Sequence, residues 1–262
     1  MKTSILKKFI QTATIGLLAG VVMLILLYKV ISKTIIEQEV QKARVITDTI
    51  IYYRHYLSLV APKVKILDKN LSPFAITPAY TTNQVAKMLR KNGKYVRQVS
   101  DRYRNPLDKP TQKELDAINF FKKHKDVDEL WEVHPADAAF NEKHIFYARK
   151  LITEKSCLKC HGVPLKDVPE DLYKKIVQIY GDKAFNYKKG EVRGIISVIF
   201  PYEKAIKEIN KTFILILIIG VSFFILGLLI FFRLNKEIQV DIEKILNNFH
   251  SVQKGNKQLR NN

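Results

Sequence analysis

The sequence predicts an α+β domain carried between two membrane-spanning helices, and three observations lead to that class. Of 262 residues 47% are hydrophobic, yet the apolar residues gather near the two ends. The middle of the chain combines helical apolar spacing with short runs of β-branched and aromatic residues. Glycine and proline number only 10 and 9, which excludes collagen-like and low-complexity architecture. An aromatic content of 10% is too high for a disordered chain.

Residues 1–8 form a basic N-terminus containing Lys2, Lys7 and Lys8. Residues 9–31 read FIQTATIGLLAGVVMLILLYKVI, with Lys29 the single charge. About 20 such residues rise roughly 30 Å as a helix, enough to cross the hydrocarbon layer. The run is long for a signal peptide and no A-x-A-like site follows, so an uncleaved anchor is expected. Beyond it Ile36, Val40, Ala43, Thr47, Ile50 and Leu57 recur at spacings of four and three, and no glycine or proline interrupts before Pro62. One helix should therefore leave the membrane and continue outward for several turns.

Prolines at 62, 73 and 78 break that helix. A second helix is expected over 82–90, then an irregular segment over 102–110 (RYRNPLDKP). Thr111 reads as the N-cap of a helix to Lys125, with Glu114 completing a capping box. LWEV at 130–133, HIFYARKLI at 144–152 and GIISVIF at 194–200 read as strands of a small antiparallel sheet. Residues 202–211 should be helical and run into a second span at 212–232, TFILILIIGVSFFILGLLIFF, which carries no charge. In the tail, 233–262, Ile238, Ile242, Ile245, Phe249, Val252 and Leu259 follow a heptad, with Asn256 at the remaining seam position. Such a segment calls for a partner helix.

Lysines precede the first span, and Arg233, Lys236 and Lys244 follow the second, so both ends are expected in the cytoplasm and residues 32–211 outside. The outer segment holds 34 Lys+Arg against 22 Asp+Glu. That excess does not oppose the assignment, because long domains translocate largely regardless of charge. The formal charge of +19 could favour anionic lipid headgroups or an acidic partner. Nucleic acid is not an expected partner, since a domain outside the membrane meets no genome.

The chain has two cysteines, Cys157 and Cys160, followed by His161, in the run Cys-Leu-Lys-Cys-His. Two thiols at this spacing can add to the two vinyl groups of one haem, and the adjacent histidine is placed to bind its iron. A disulfide is the main alternative. A thioredoxin-like pair lacks a βαβ context, and a zinc site lacks a second ligand pair.

Over residues 43–201 the chain resembles the periplasmic haem c sensor domain, a PAS-like module found on bacterial sensor kinases, chemoreceptors and cyclases. The resemblance is carried by Tyr53-Arg54, Pro78-Ala79, DRYRNP at 101–106, CLKCHG at 157–162, Tyr180-Gly181, Gly190-Glu191, and Gly194 leading to Ser197-Val198 and Pro201. It implies one covalent haem c on Cys157 and Cys160, iron ligation by His161, and a distal position that varies among members. His55, on the first helix beside Ile51, Tyr52 and Leu59, is the leading candidate for that position, with Met88, a water or nothing as the others. Met88 is otherwise expected in the core. His134 and His144 are minor candidates, and His124 is expected to be solvated. Arg54, Arg102 and Arg104 are candidates to hold the haem propionates.

These features imply a two-pass protein of the bacterial inner (cytoplasmic) membrane, with a periplasmic haem domain sensing redox state or a diatomic gas. The tail resembles the first helix of a HAMP linker, so the output is expected on a separate cytoplasmic signalling protein. Thr12, Gly16 and Gly20 form a small-residue stripe compatible with a homodimer. The alternative function is a membrane-anchored c-type cytochrome that carries electrons. No G-x-S-x-G, phosphate-binding glycine loop or H-E-x-x-H appears, so no enzymatic activity is expected.

Overall fold

The computed structural model describes residues 2–66, 72–91, 95–137 and 140–259, with side chains from residue 11 onward except at 208, 243, 246, 247 and 249–259. The elements in order are α1 (Lys2–Val60), α2 (Pro78–Lys91), β1 (Tyr95–Ser100), α3 (Gln112–Lys123), β2 (Glu129–His134), β3 (His144–Ile152), α4 (Leu158–His161), α5 (Glu170–Tyr180), β4 (Val192–Pro201) and α6 (Tyr202–Leu259). The result is the expected α+β class: a long N-terminal helix, one small antiparallel sheet, and two apolar helices. The chain divides into two compact units, Met1–Lys207 and Glu208–Asn262.

Helix α1 is continuous for 59 residues, as the uninterrupted seam predicts. Its outer half buries Val40, Ala43, Thr47, Ile50 and Leu57. Val40, Ala43 and Ile50 pack against Val96, Ile145, Tyr147, Ile196 and Val198 of the sheet. The seam thus serves the domain's own core. Arg44 of α1 bonds Glu129 of β2, and Glu129 also accepts from Tyr147 and Arg149 of β3, so a charge cluster joins helix to sheet. Helices α1 and α6 each contain a stretch long and apolar enough to cross a membrane.

The four strands lie in the order β1-β4-β3-β2, every neighbour antiparallel. Three of them match the expected runs. Strand β1, YVRQVS, lies outside the expected runs, and its Arg97 and Gln98 are residue types that ordinarily face solvent. Instead each finds a partner beneath a helix: Gln98 accepts from Arg54 of α1, and Arg97 donates to the buried Glu114 of α3. Val96 and Val99 between them are fully buried, one on each face.

Helix α3 opens with the predicted capping box of Thr111 and Glu114, and its Ile118 and Phe121 join Val99, Phe146 and Ile195 on the second face of the sheet. Helix α5 went unrecognised in the sequence, although Glu170 and Asp171 sit in its first turn, where the helix dipole favours them. It carries Ile176 and Tyr180 against Phe74 and Phe185.

In the second unit Ile238, Ile242 and Ile245 are exposed on α6. The expected seam residues Phe249, Val252, Asn256 and Leu259 have side chains outside those described, as do Lys2, Lys7 and Lys8.

Candidate functional site

The site is built around α4, a single turn formed by Leu158, Lys159, Cys160 and His161, with Cys157 just before it. It lies at the end of the sheet where β1 and β3 finish and β4 begins. Cys157 and Cys160 are both half-buried free thiols. Burial raises the Cys160 thiol above its ordinary pKa, and the sulfur packs among the residues of α5. The Sγ of Cys157 accepts from the Glu154 amide at 3.3 Å.

His161 is held by a loop that follows α5. Its Nδ1–H donates to the carbonyl of Ala184 at 2.8 Å, its own carbonyl accepts from the Tyr187 amide, and the carbonyl of Gly162 accepts from Asn186. The ring stacks on Tyr187 at 4.9 Å with an interplanar angle of 15°. A carbonyl can only accept, so the proton resides on Nδ1 and the Nε2 lone pair is left available. Burial, reinforced by the charge of Arg104, pushes the imidazole pKa down to about 4, so the ring is neutral at physiological pH. A neutral imidazole with Nδ1 tied to a carbonyl and Nε2 free is the form that binds a metal.

The three arginines singled out in the sequence converge on this site, each acting on the charge of His161. Arg104 donates to the carbonyls of Cys160 (2.9 Å), Ala184 (3.1 Å) and Lys183 (3.1 Å), and lies over the Phe185 ring. Arg102 donates to the Phe185 carbonyl at 2.7 Å, while its own carbonyl accepts from Tyr187 Oη. These guanidinium groups brace the loop that holds His161 through its main-chain carbonyls.

Arg54 is the third. It occupies the seam of α1 between Ile50 and Leu57, a position where the spacing asks for an apolar residue. It bonds Gln98 and Thr82 and has no carboxylate within ion-pair distance among the described residues. Burial lowers its pKa, opposed by the charges of Cys157, Asp108 and Glu154. Asp108, bonded to Asn83, is itself raised by burial.

The remaining candidates are spread out. His55 is exposed on α1 with Nδ1 3.0 Å from Glu154 Oε2, at the rim of the Cys157 turn. Beside it Ile51 packs on the core, whereas Tyr52 is 73% and Leu59 53% exposed. Met88, expected in the core, is 64% exposed on α2, since that helix buries Thr82 and Ala86 on its other side. His124 is exposed as expected and stacks on Phe120. His134 and His144 face each other across β2 and β3 at the opposite end of the sheet.

A cavity of about 150 Å³ opens beside His144, lined also by Tyr95, Phe140, Arg97 and Lys113. Its charged groups pair internally, Arg97 with Glu114 and Lys113 with Asp137.

Sequence reasoning missed Ala184, Tyr187 and Gln98. Ala184 contributes only its carbonyl, and no side-chain pattern marks that role.

Residues 32–201 match the family described as Tll0287-like. Among solved structures, the crystal structure of the cyanobacterial haem protein Tll0287 is similar at 24% identity and a TM-score of 0.48, covering 63% of this chain and 95% of that one. No curated protein matches.

Proposed function

This chain belongs to the Tll0287-like family, and from that premise we propose that it is a membrane-anchored protein carrying one covalent haem c, which senses redox state or a diatomic gas. Tll0287, whose name the family bears, is a haem protein. The observation that carries the proposal here is the state of His161: neutral, with Nδ1 engaged by Ala184 and Nε2 without a hydrogen-bond partner among the described residues, directly after two free thiols at the spacing of the haem vinyl groups.

Cys157 and Cys160 would form the thioether links, and His161 Nε2 would bind iron. Arg54 is the cation best suited to a propionate, since this half-buried residue has no carboxylate within ion-pair distance among the described residues. Bound haem supplies an iron centre whose oxidation state and sixth ligand can change. His55 and Arg54 stand on α1, and the same unbroken helix contains the first apolar stretch, so a rearrangement at the site has a direct route along it. The Arg44–Glu129–Arg149 cluster couples that helix to the sheet.

In this reading residues 9–31 and 212–232 span the bacterial inner membrane, 32–211 form a periplasmic PAS-like module, and 1–8 and 233–262 are cytoplasmic. The protein is a non-enzymatic homodimer whose tail seam engages a separate signalling protein. The two apolar helices support the anchoring.

The test is intact-mass analysis and absorption spectroscopy of the full chain from a cytochrome c maturing host. The expected results are a mass increased by one haem, lost in Cys157→Ala with Cys160→Ala, and a reduced spectrum that shifts with carbon monoxide. Covalent pigment without that shift would favour the electron carrier. Colourless polypeptide would refute the haem assignment.

A further inference from the structure

Resting on the reading that His161 binds haem iron, we propose that Arg104 is a positioning residue that raises the iron's reduction potential through the carbonyl of Ala184. That oxygen has two donors: Nδ1–H of His161 at 2.8 Å and Nη2 of Arg104 at 3.1 Å. The same Nη2 reaches the Cys160 carbonyl at 2.9 Å, and Nε reaches Lys183 at 3.1 Å. One guanidinium therefore joins the turn bearing the second thiol to the loop bearing the acceptor for the adjacent histidine.

Two effects of this arrangement have the same sign. Hydrogen bonding from the distant ring nitrogen makes a ligating imidazole more basic, and a more basic ligand favours ferric iron. A cationic donor on the shared carbonyl draws electron density from it and weakens its bond to Nδ1–H. The imidazole becomes less basic and ferrous iron gains. The fixed positive charge also opposes the additional charge of the ferric state. Ala184 itself lies in the left-handed region, at φ +58°.

Arg102 separates the two contributions. It is a second cation of the same loop, but its bond is to the Phe185 carbonyl, which His161 does not use. Equal responses at the two arginines would mean general charge; a larger response at Arg104 means the shared oxygen.

The experiment is potentiometric titration of the full-length haem-bearing protein in detergent, comparing wild type with Arg104→Gln, Arg104→Lys and Arg102→Gln. Arg104→Gln should lower the potential by an order of tenfold in the one-electron equilibrium, about 59 mV. Arg104→Lys keeps the charge but not the fork and should fall between, while Arg102→Gln should shift less. A potential in Arg104→Gln at or above wild type, or an equal drop in Arg102→Gln, overturns the proposal. Should Arg104→Gln fail to mature, Arg104→Lys decides: a lower potential supports it and an unchanged or higher one refutes it. Loss of pigment from wild type itself would instead defeat the haem assignment.

Discussion

Ala184 presents its carbonyl to Nδ1 of His161 across 23 positions of sequence, and does so with a backbone in the left-handed region at φ +58°. A side chain with a Cβ pays about 1 kcal/mol for that conformation. Ala184→Gly should leave stability within about 0.5 kcal/mol of wild type, strain relief offsetting the freer unfolded chain. Ala184→Val, with a β-branched side chain, should lose about 1–2 kcal/mol and lower the yield of pigment. Denaturant unfolding of the full chain in detergent distinguishes them; equal stability of the two variants would contradict this account.

His161→Ala separates attachment from ligation. The thiols remain, so the mass increment of one haem should persist, while the absorption spectrum changes and added imidazole restores it. Unchanged spectra would show that another residue occupies the proximal position.

Glu129 should govern the acid limb of stability. The hydrogen bond from Arg44, with help from Tyr147, holds its carboxyl down at about 2, against an ordinary value of 4.5. The folded form therefore binds its proton more weakly than the unfolded form. The contribution is complete above about pH 4.5 and disappears as pH falls toward 2, amounting to about 2–3 kcal/mol. Glu129→Gln should flatten the stability profile between those limits. An equally steep profile in the variant would point to other carboxylates.

Gly162 closes the motif where no side chain fits. A Cβ there would lie 2.5 Å from Asp167 Cβ and 2.6 Å from the Leu158 carbonyl. Gly162→Ala should cost about 1–3 kcal/mol and loosen the Asp167 bond to the Val163 amide. Hydrogen exchange at Val163 reports this directly, and unchanged protection would argue against it.

On the face of the sheet covered by α3, Glu114 receives bonds from Thr111, Arg97 and Ser197. Glu114→Ala removes the carboxylate of Arg97 and leaves it only the Lys109 carbonyl, and should cost about 3–5 kcal/mol, whereas Thr111→Ala removes only the cap, about 1 kcal/mol. Thermal unfolding should rank them in that order; the reverse would mean that the buried pair adds little.

What the sequence by itself determined is whatever rests on local chemistry. The two apolar stretches, the continuous seam of α1, the capping box of Thr111 and Glu114, three of the four strands, and the Cys157-Cys160-His161 run are each specified within a few turns of chain. Tertiary structure decided what those residues meet. It inserted β1 by giving Arg97 and Gln98 partners beneath the helices, turned Arg102 and Arg104 to main-chain carbonyls, bonded Arg54 to Gln98 and Thr82, and placed the Ala184 oxygen beside His161. The physical reason is that every residue type carries a carbonyl. Where the backbone aims one depends on dihedral angles and packing across the fold, so an acceptor of this kind has no signature in the order of side chains.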